Sequence, residues 1–209
     1  MTYHIETKNH YLRYALRALL PPTRFKQDTC VIDLSSYSSL LAILQCVRQH
    51  QDVVRFIFIG DSGGLSRALQ PLIALESKLP LRSYCEKLCH CPGVSYDTAM
   101  DLLLAHRSLE GYSHLDKITV YSLLMRDSVH EAARFLGISN KKFYPRIDRL
   151  TRKLNQQNGL QTHQFLRREF HPEYVRASID DPLCAALRQY LRTLALPLLH
   201  EEHARATTV

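Results

Sequence analysis

The sequence predicts an α/β fold that gives way, after residue 111, to an all-helical segment, and two observations carry this reading. In the N-terminal half, short apolar runs alternate with amphipathic ones, and runs such as VIDL and FIFIG are continuous rather than half-polar. Continuous runs suit a small parallel sheet flanked by helices on both faces, in a doubly wound arrangement. In the C-terminal half every periodic stretch repeats at helical spacing.

Taken in order, Tyr3–Glu6 reads as a strand and Tyr11–Leu20 as a helix with Leu12, Ala15, Leu16 and Leu19 on one stripe. Pro21 and Pro22 stop that helix. Strand Thr29–Leu34, helix Ser39–His50, strand Arg55–Ile59 and helix Leu65–Lys78 follow, then a strand at Leu81–Tyr84 and a helix at Tyr96–Ser108. Beyond Leu109-Glu110-Gly111, helices are predicted at Leu115–Met125, Val129–Leu136, Asn140–Leu154 and Gln161–Phe170. Gly137 fits the residue just past a helix end, and Ser139 is placed to cap the next helix. So short a link between two short helices is the helix-turn-helix signature. A last helix begins at Asp180-Asp181-Pro182 and breaks near Pro197, with Leu183, Leu187, Tyr190, Leu191 and Leu194 forming a packing or dimerisation side. The domain division is therefore 1–108 α/β, 109–114 linker, 115–172 helix-turn-helix domain and 173–209 C-terminal helical extension.

Composition narrows the function classes. A hydrophobic content of 45% excludes a disordered tail protein, and 7 glycines with no tryptophan fit a helix-rich chain. No apolar run is long enough for a membrane span, and the N-terminus lacks the layout of a secretion signal, so a cytoplasmic protein with no membrane partner is expected. Six cysteines without a secretory context are expected as reduced thiols.

The net charge of +7 is concentrated. Residues 112–170 carry eleven basic against five acidic residues, a net of +6. Within them, the predicted helix at 140–154 turns Phe143, Ile147, Leu150 and Leu154 inward and presents Lys141, Lys142, Arg146, Arg149, Arg152 and Lys153 against the single acid Asp148. Like charges at i,i+4 spacing destabilise a helix, so such density needs a counter-surface. The phosphate backbone of double-stranded DNA supplies one, because bound cations release condensed counterions.

Residues 138–154, ISNKKFYPRIDRLTRKL, resemble the recognition-helix signature of LuxR/NarL-type regulators, with Ile138, Ser139, Lys141, Arg152, Lys153 and Leu154 in register without a gap. Phe143 replaces the usual valine and Leu150 the usual isoleucine, while Glu131 and Ala133 match the E-x-A of the preceding helix one residue closer than usual. The resemblance implies a bacterial transcription regulator with a four-helix DNA-binding domain, whose third helix enters the major groove and whose fourth can dimerise. It also implies that Lys141 and Lys153 contact phosphates, with Lys142, Arg146 and Arg149 placed to reach bases or neighbouring phosphates. Pro145 departs from the pattern. It removes a helical hydrogen bond at a cost of about 3 kcal/mol, so the helix is expected to kink or to start late.

The first half resembles a response-regulator receiver. IETKNHYLRYALRALL (5–20) is similar to a receiver's opening, VIDL to the strand ending in the phosphorylated aspartate, here Asp33, and Tyr84–Lys87 to the segment holding the receiver lysine, here Lys87. Two parts are missing. About 25 residues separate the first strand from Asp33, too few for the usual intervening strand and helix, and the Mg²⁺-binding acidic pair is Thr7-Lys8. Phosphoryl transfer to an aspartate needs the cation. The expectation is a shortened pseudo-receiver in which Asp33 is a vestigial or structural carboxylate.

GDSGG at 60–64 matches the nucleophile string of chymotrypsin-like proteases, but the partner histidine segment is missing and the string falls where Gly and Ser serve a strand-to-helix turn. Cys85, Cys89, His90 and Cys91 lack the paired spacing of a zinc or iron–sulfur site, and the eleven histidines form no ligand pair, so no metal, no cofactor and no catalysis is expected. The sequence thus points to a DNA-binding transcription regulator acting as a homodimer, or as a heterodimer with a related response regulator. The rival is a protein-interaction module that titrates another regulator without reading DNA. A third reading, a phosphorylation-dependent regulator, requires Asp33 to work without its acidic pair.

Overall fold

A computed structural model describes residues 3–19 and 28–180. Four parallel strands form one sheet in the order β1-β2-β3-β4: β1 (Tyr3–Glu6), β2 (Thr29–Asp33), β3 (Arg55–Gly60) and β4 (Ile73–Glu76). Tyr3 lies opposite Thr29, and Thr29 opposite Arg55. The strands are covered on both sides because successive side chains feed two different layers. Val31, Ile57, Ile59 and Leu75 meet Leu16 of α1 (His10–Leu19) and Tyr84 and Leu88 of α4 (Leu81–His90). Cys30, Ile32, Phe56 and Phe58 meet α2 (Leu40–Gln49), α3 (Gly64–Ala68) and α5 (Tyr96–Arg107).

The strand order has a topological consequence. β1-to-β2 and β2-to-β3 advance in the same direction across the sheet, yet α1 and α2 lie on opposite faces. Connections running through them have opposite hands, whereas about 98% of such crossovers are right-handed. Sheets of the 2-1-3-4-5 type avoid the conflict with an extra strand outside the first. Among the described residues β1 is the edge strand.

Two expectations in this half are corrected. The helix predicted over Leu65–Lys78 ends at Ala68, and a 3-10 turn at Gln70–Leu72 and strand β4 take its place. Pro71 cannot continue a helical ladder, and it disfavours the α conformation in the residue before it. Gly60 lets β4 approach, since a Cβ there would collide with the Ile73 side chain. The strand predicted at Leu81–Tyr84 is instead the start of α4. Pro80 sits at its N-cap, and Tyr84 and Leu88, four apart, pack on the sheet while the Tyr84 hydroxyl donates to the Glu76 carbonyl at 2.9 Å.

The helical half contains α6 (His114–Met125), α7 (Val129–Phe135), α8 (Asn140–Lys153), α9 (Gly159–Glu169) and α10 (Pro172–Asp180). Ser113 and Asp116 form a capping box at the start of α6, Ser128 caps α7 and Asn158 caps α9. α10 adds a helix to those the sequence predicts. Pro172 suits a first helical position, and the helix packs along α6 with Val175 buried and Lys117 Nζ donating to the Ser178 carbonyl at 3.0 Å. The helix expected from Asp180 onward lies outside the described residues.

The two halves share one apolar cluster, running from Ile32 and Phe58 through Leu65 to Phe165, Leu166 and Phe143. Leu109, in the segment expected as a linker, is fully buried with a positive φ of 52°. Between the halves Gln156 donates to the Gly64 carbonyl at 3.0 Å, and Leu40 N–H donates to the Glu169 carboxylate at 2.9 Å.

Candidate nucleic-acid interface

The α7–turn–α8 unit is built by two small residues and a glycine. Ala132 and Ala133 are buried, which lets α8 come close to α7. Gly137 takes φ +65°, a conformation that costs a side chain. Its N–H donates to the Arg134 carbonyl at 2.9 Å, and Ile138 N–H to the Ala133 carbonyl at 3.1 Å, the paired bonds of a Schellman motif. Ser139 stands at the N-cap of α8 as expected, but its hydroxyl makes no capping bond. Its carbonyl instead accepts from Lys142 N–H at 3.0 Å and Phe143 N–H at 3.1 Å. The far end of α8 repeats the device with Asn155 at φ 50°.

Along α8, Phe143, Ile147 and Leu150, with Leu154 just beyond, are buried in the helical core as the periodicity requires. The helix does not start late. It begins at Asn140 and runs unbroken through Pro145, which corrects the delayed start expected from that proline. Pro145 is exposed on the outward face, where the Lys141 carbonyl it leaves without a helical donor can be met by water.

The six cations named from the sequence fall into two groups. Arg149 and Lys153 turn toward the start of α6: Arg149 lies 2.6 Å and Lys153 3.5 Å from the Asp116 carboxylate, whose side chain is only 4% exposed. Lys153 also donates to the Gly111 carbonyl and sits 4.6 Å over the Tyr112 ring. Burial pushes the Asp116 carboxyl up, but the Ser113 hydrogen bonds together with Arg149 and Lys153 outweigh it and hold it below its usual value. Lys141, Lys142, Arg146 and Arg152 have no carboxylate partner among the described residues. Lys142 and Arg146 share one helical stripe, Lys141 and Arg152 the next, and exposed Tyr144 flanks them. Hydrogen bonds from the α/β half reach Asn155, Gln156, Gln161 and Glu169, all beyond the last residue of α8.

Asp33 sits at the end of β2, 2% exposed. Its carboxylate accepts from Thr7 Oγ1 at 2.6 Å, Ser36 Oγ at 2.9 Å, Ser35 Oγ at 2.7 Å and Ser35 N–H at 3.1 Å. Lys87 does not join it. That lysine is exposed in the last turn of α4, and the lysine following the C-terminal end of β4 is Lys78, a position that a helix over 65–78 obscures. GDSGG is the turn from β3 into α3: Ser62 is not part of a triad there, and Asp61 instead accepts from Ser66 Oγ at 2.6 Å and Gly63 N–H at 2.9 Å. The histidines look scattered along the sequence, yet folding joins His50 to Glu6 and Cys46, from segments some forty residues apart.

No family model matches this chain, and no curated protein matches it. A solved structure of RcsB from Salmonella enterica serovar Typhimurium, bound to promoter rprA in the presence of the phosphomimetic BeF3-, is similar at 14% identity and a TM-score of 0.35, over 79% of this chain and 98% of that one. Among the described residues no helix is long and apolar enough to cross a membrane.

Proposed function

We propose that this chain is a DNA-binding transcription regulator of the LuxR/NarL type, without catalytic activity of its own, that carries a shortened pseudo-receiver. The observation that carries the reading is α8: a helix-turn-helix second helix whose Lys141, Lys142, Arg146 and Arg152 meet no carboxylate among the described residues, with Lys141, Lys142 and Arg152 exposed and Arg146 half-buried. A helix in that position enters the major groove and places cations on phosphates and base edges. The reading takes the working unit as a dimer, of two copies or with a related response regulator, since recognition helices of this kind work in pairs across half-sites. Regulation by phosphate on Asp33 finds no support, because four donors already occupy a buried carboxylate beside Thr7 and Lys8.

The test is equilibrium binding of a random-sequence duplex across a salt series. Affinity is expected to fall steeply with salt. The slope should become shallower by about 0.9 for each phosphate that Lys141→Ala, Lys142→Ala or Arg146→Ala leaves unneutralised. Acetyl-phosphate labelling that vanishes in Asp33→Ala would sink the pseudo-receiver part of the reading and leave DNA binding intact.

A further inference from the structure

The β1 side of the sheet, an edge among the described residues, holds a second cluster, unrelated to α8. On β1, His4 and Glu6 alternate onto the face that carries Cys30, while Tyr3 and Ile5 take the other. α2 packs on the Cys30 face, and Cys46 and His50, four residues apart at its C-terminal end, come down beside Glu6. His50 Nε2 lies 3.1 Å from Glu6 Oε1, and with Cys46 Sγ the three atoms are all within 4.8 Å of one another. Cys46 is 5% exposed, whereas the His50 and Glu6 side chains are 14% and 37% exposed, so the cluster opens to solvent on the carboxylate side. Around it, the Tyr37 hydroxyl donates to Cys46 Sγ at 3.0 Å, and the His4 ring stacks at a tilt on His50, 4.5 Å between centroids.

We propose that Glu6, Cys46 and His50 bind a zinc ion, one per chain, with water as the fourth ligand. A thiolate, an imidazole and a carboxylate form a borderline-soft donor set, which suits zinc and disfavours magnesium or calcium. Zinc bonds of about 2.0–2.3 Å in a tetrahedron place donor atoms about 3.3–3.6 Å apart. The nitrogen and oxygen, at 3.1 Å, need to open by about 0.2 Å, and the sulfur needs to close by no more than about 1.2 Å. Binding replaces the Cys46 S–H bond with S–Zn and releases the proton to solvent. Burial pushes that thiol up to about 11, with the Tyr37 hydrogen bond working downward and Glu6 upward. The metal charge takes over the work of stabilising the thiolate, and affinity therefore falls as pH falls. Tyr37, by donating to the sulfur, fills the outer-shell role that orients a ligand and tunes its basicity. An ordinary Glu6–His50 ion pair would account for those two residues, and core packing with the Tyr37 hydrogen bond for Cys46, but a single ion accounts for the convergence of all three donor atoms.

The experiment uses the full reduced chain, titrated with Co²⁺ as a spectroscopic probe and with Zn²⁺ against a chromogenic chelator. One equivalent of Co²⁺ is expected to give a thiolate-to-metal charge-transfer band in the near ultraviolet. The band should disappear in Cys46→Ser and persist when Cys85, Cys89 and Cys91 are all replaced by serine. His50→Gln and Glu6→Gln should each weaken Zn²⁺ binding at least tenfold, and Tyr37→Phe about tenfold. At equal concentration Zn²⁺ should raise the melting temperature of the wild type clearly more than that of His50→Gln, and this second readout holds if Cys46→Ser folds poorly. Absence of stoichiometric binding, a band retained in Cys46→Ser, or a band abolished with the Cys85–Cys91 group would overturn the assignment.

Discussion

Asp116 shows how a single side chain divides the basic helix. It completes the capping box of α6 and draws Arg149 and Lys153 away from the solvent face of α8. Asp116→Ala should cost about 1–2 kcal/mol in denaturant unfolding, from a missing cap bond and two partly exposed ion pairs. Because the folded carboxyl titrates below its unfolded value, its contribution is complete above about pH 4 and is lost as pH falls through the depressed folded value. The wild type should therefore lose stability below about pH 4 more steeply than Asp116→Ala. Equal acid slopes would show that Asp116 stabilises nothing by its charge. The charge density along residues 140–154 is readable from the sequence, but the split within it is not. Asp116 lies more than thirty residues from Arg149, and only the packing of α6 on α8 brings them together.

At the scale of elements, helix α8 is legible almost to the residue, because Phe143, Ile147, Leu150 and Leu154 repeat at one period and Gly137 marks the turn before them. Pro145 is a smaller obstacle than its position in the sequence suggests. It sits early in the helix, and the carbonyl it orphans faces water. Pro145→Ala restores one helical hydrogen bond and should raise stability by about 1–3 kcal/mol in thermal unfolding, with little change in DNA affinity. A loss of DNA binding in that variant would mean that the proline shapes the surface itself. β4 and α4 depart from expectation for a shared reason. Four-residue segments such as Ile73–Glu76 and Leu81–Tyr84 are too short for periodicity to tell strand from helix. Pro71 and Pro80 are the signals that divide them, since each sits at an element boundary. α10 is hard to see in sequence because its nine residues are outweighed by the longer apolar stripe after residue 182.

Over the whole molecule, the α/β and helical halves hold each other through buried contacts rather than a loose tether. Glu169, whose side chain is fully buried, accepts the first N–H of α2 and pairs with Arg168 at 2.8 Å. Glu169→Ala leaves that donor without its partner and should destabilise by about 1–3 kcal/mol. With a single apolar cluster crossing both halves, calorimetry of the wild type should show one cooperative transition, and two separated transitions would contradict a shared core. The arrangement also fixes what the halves can do to one another. Among the described residues, hydrogen bonds from the sheet side reach Asn155, Gln156, α9 and α10 but not the α8 cations, and Lys141, Lys142, Arg146 and Arg152 keep no carboxylate partner. Phe165 and Leu166, on the helix expected to dimerise, are buried inside the chain. The measurement that bears most directly on the proposed function is the salt dependence of duplex binding by the wild type and by the triple variant Lys141→Ala, Lys142→Ala, Arg146→Ala. The wild type should bind random duplex with a steep negative slope of log affinity against log salt, and the triple variant should flatten it by about 3 with its melting temperature unchanged. Binding that is weak, salt-insensitive or untouched by the three substitutions would contradict the assignment of α8 as a DNA-reading helix.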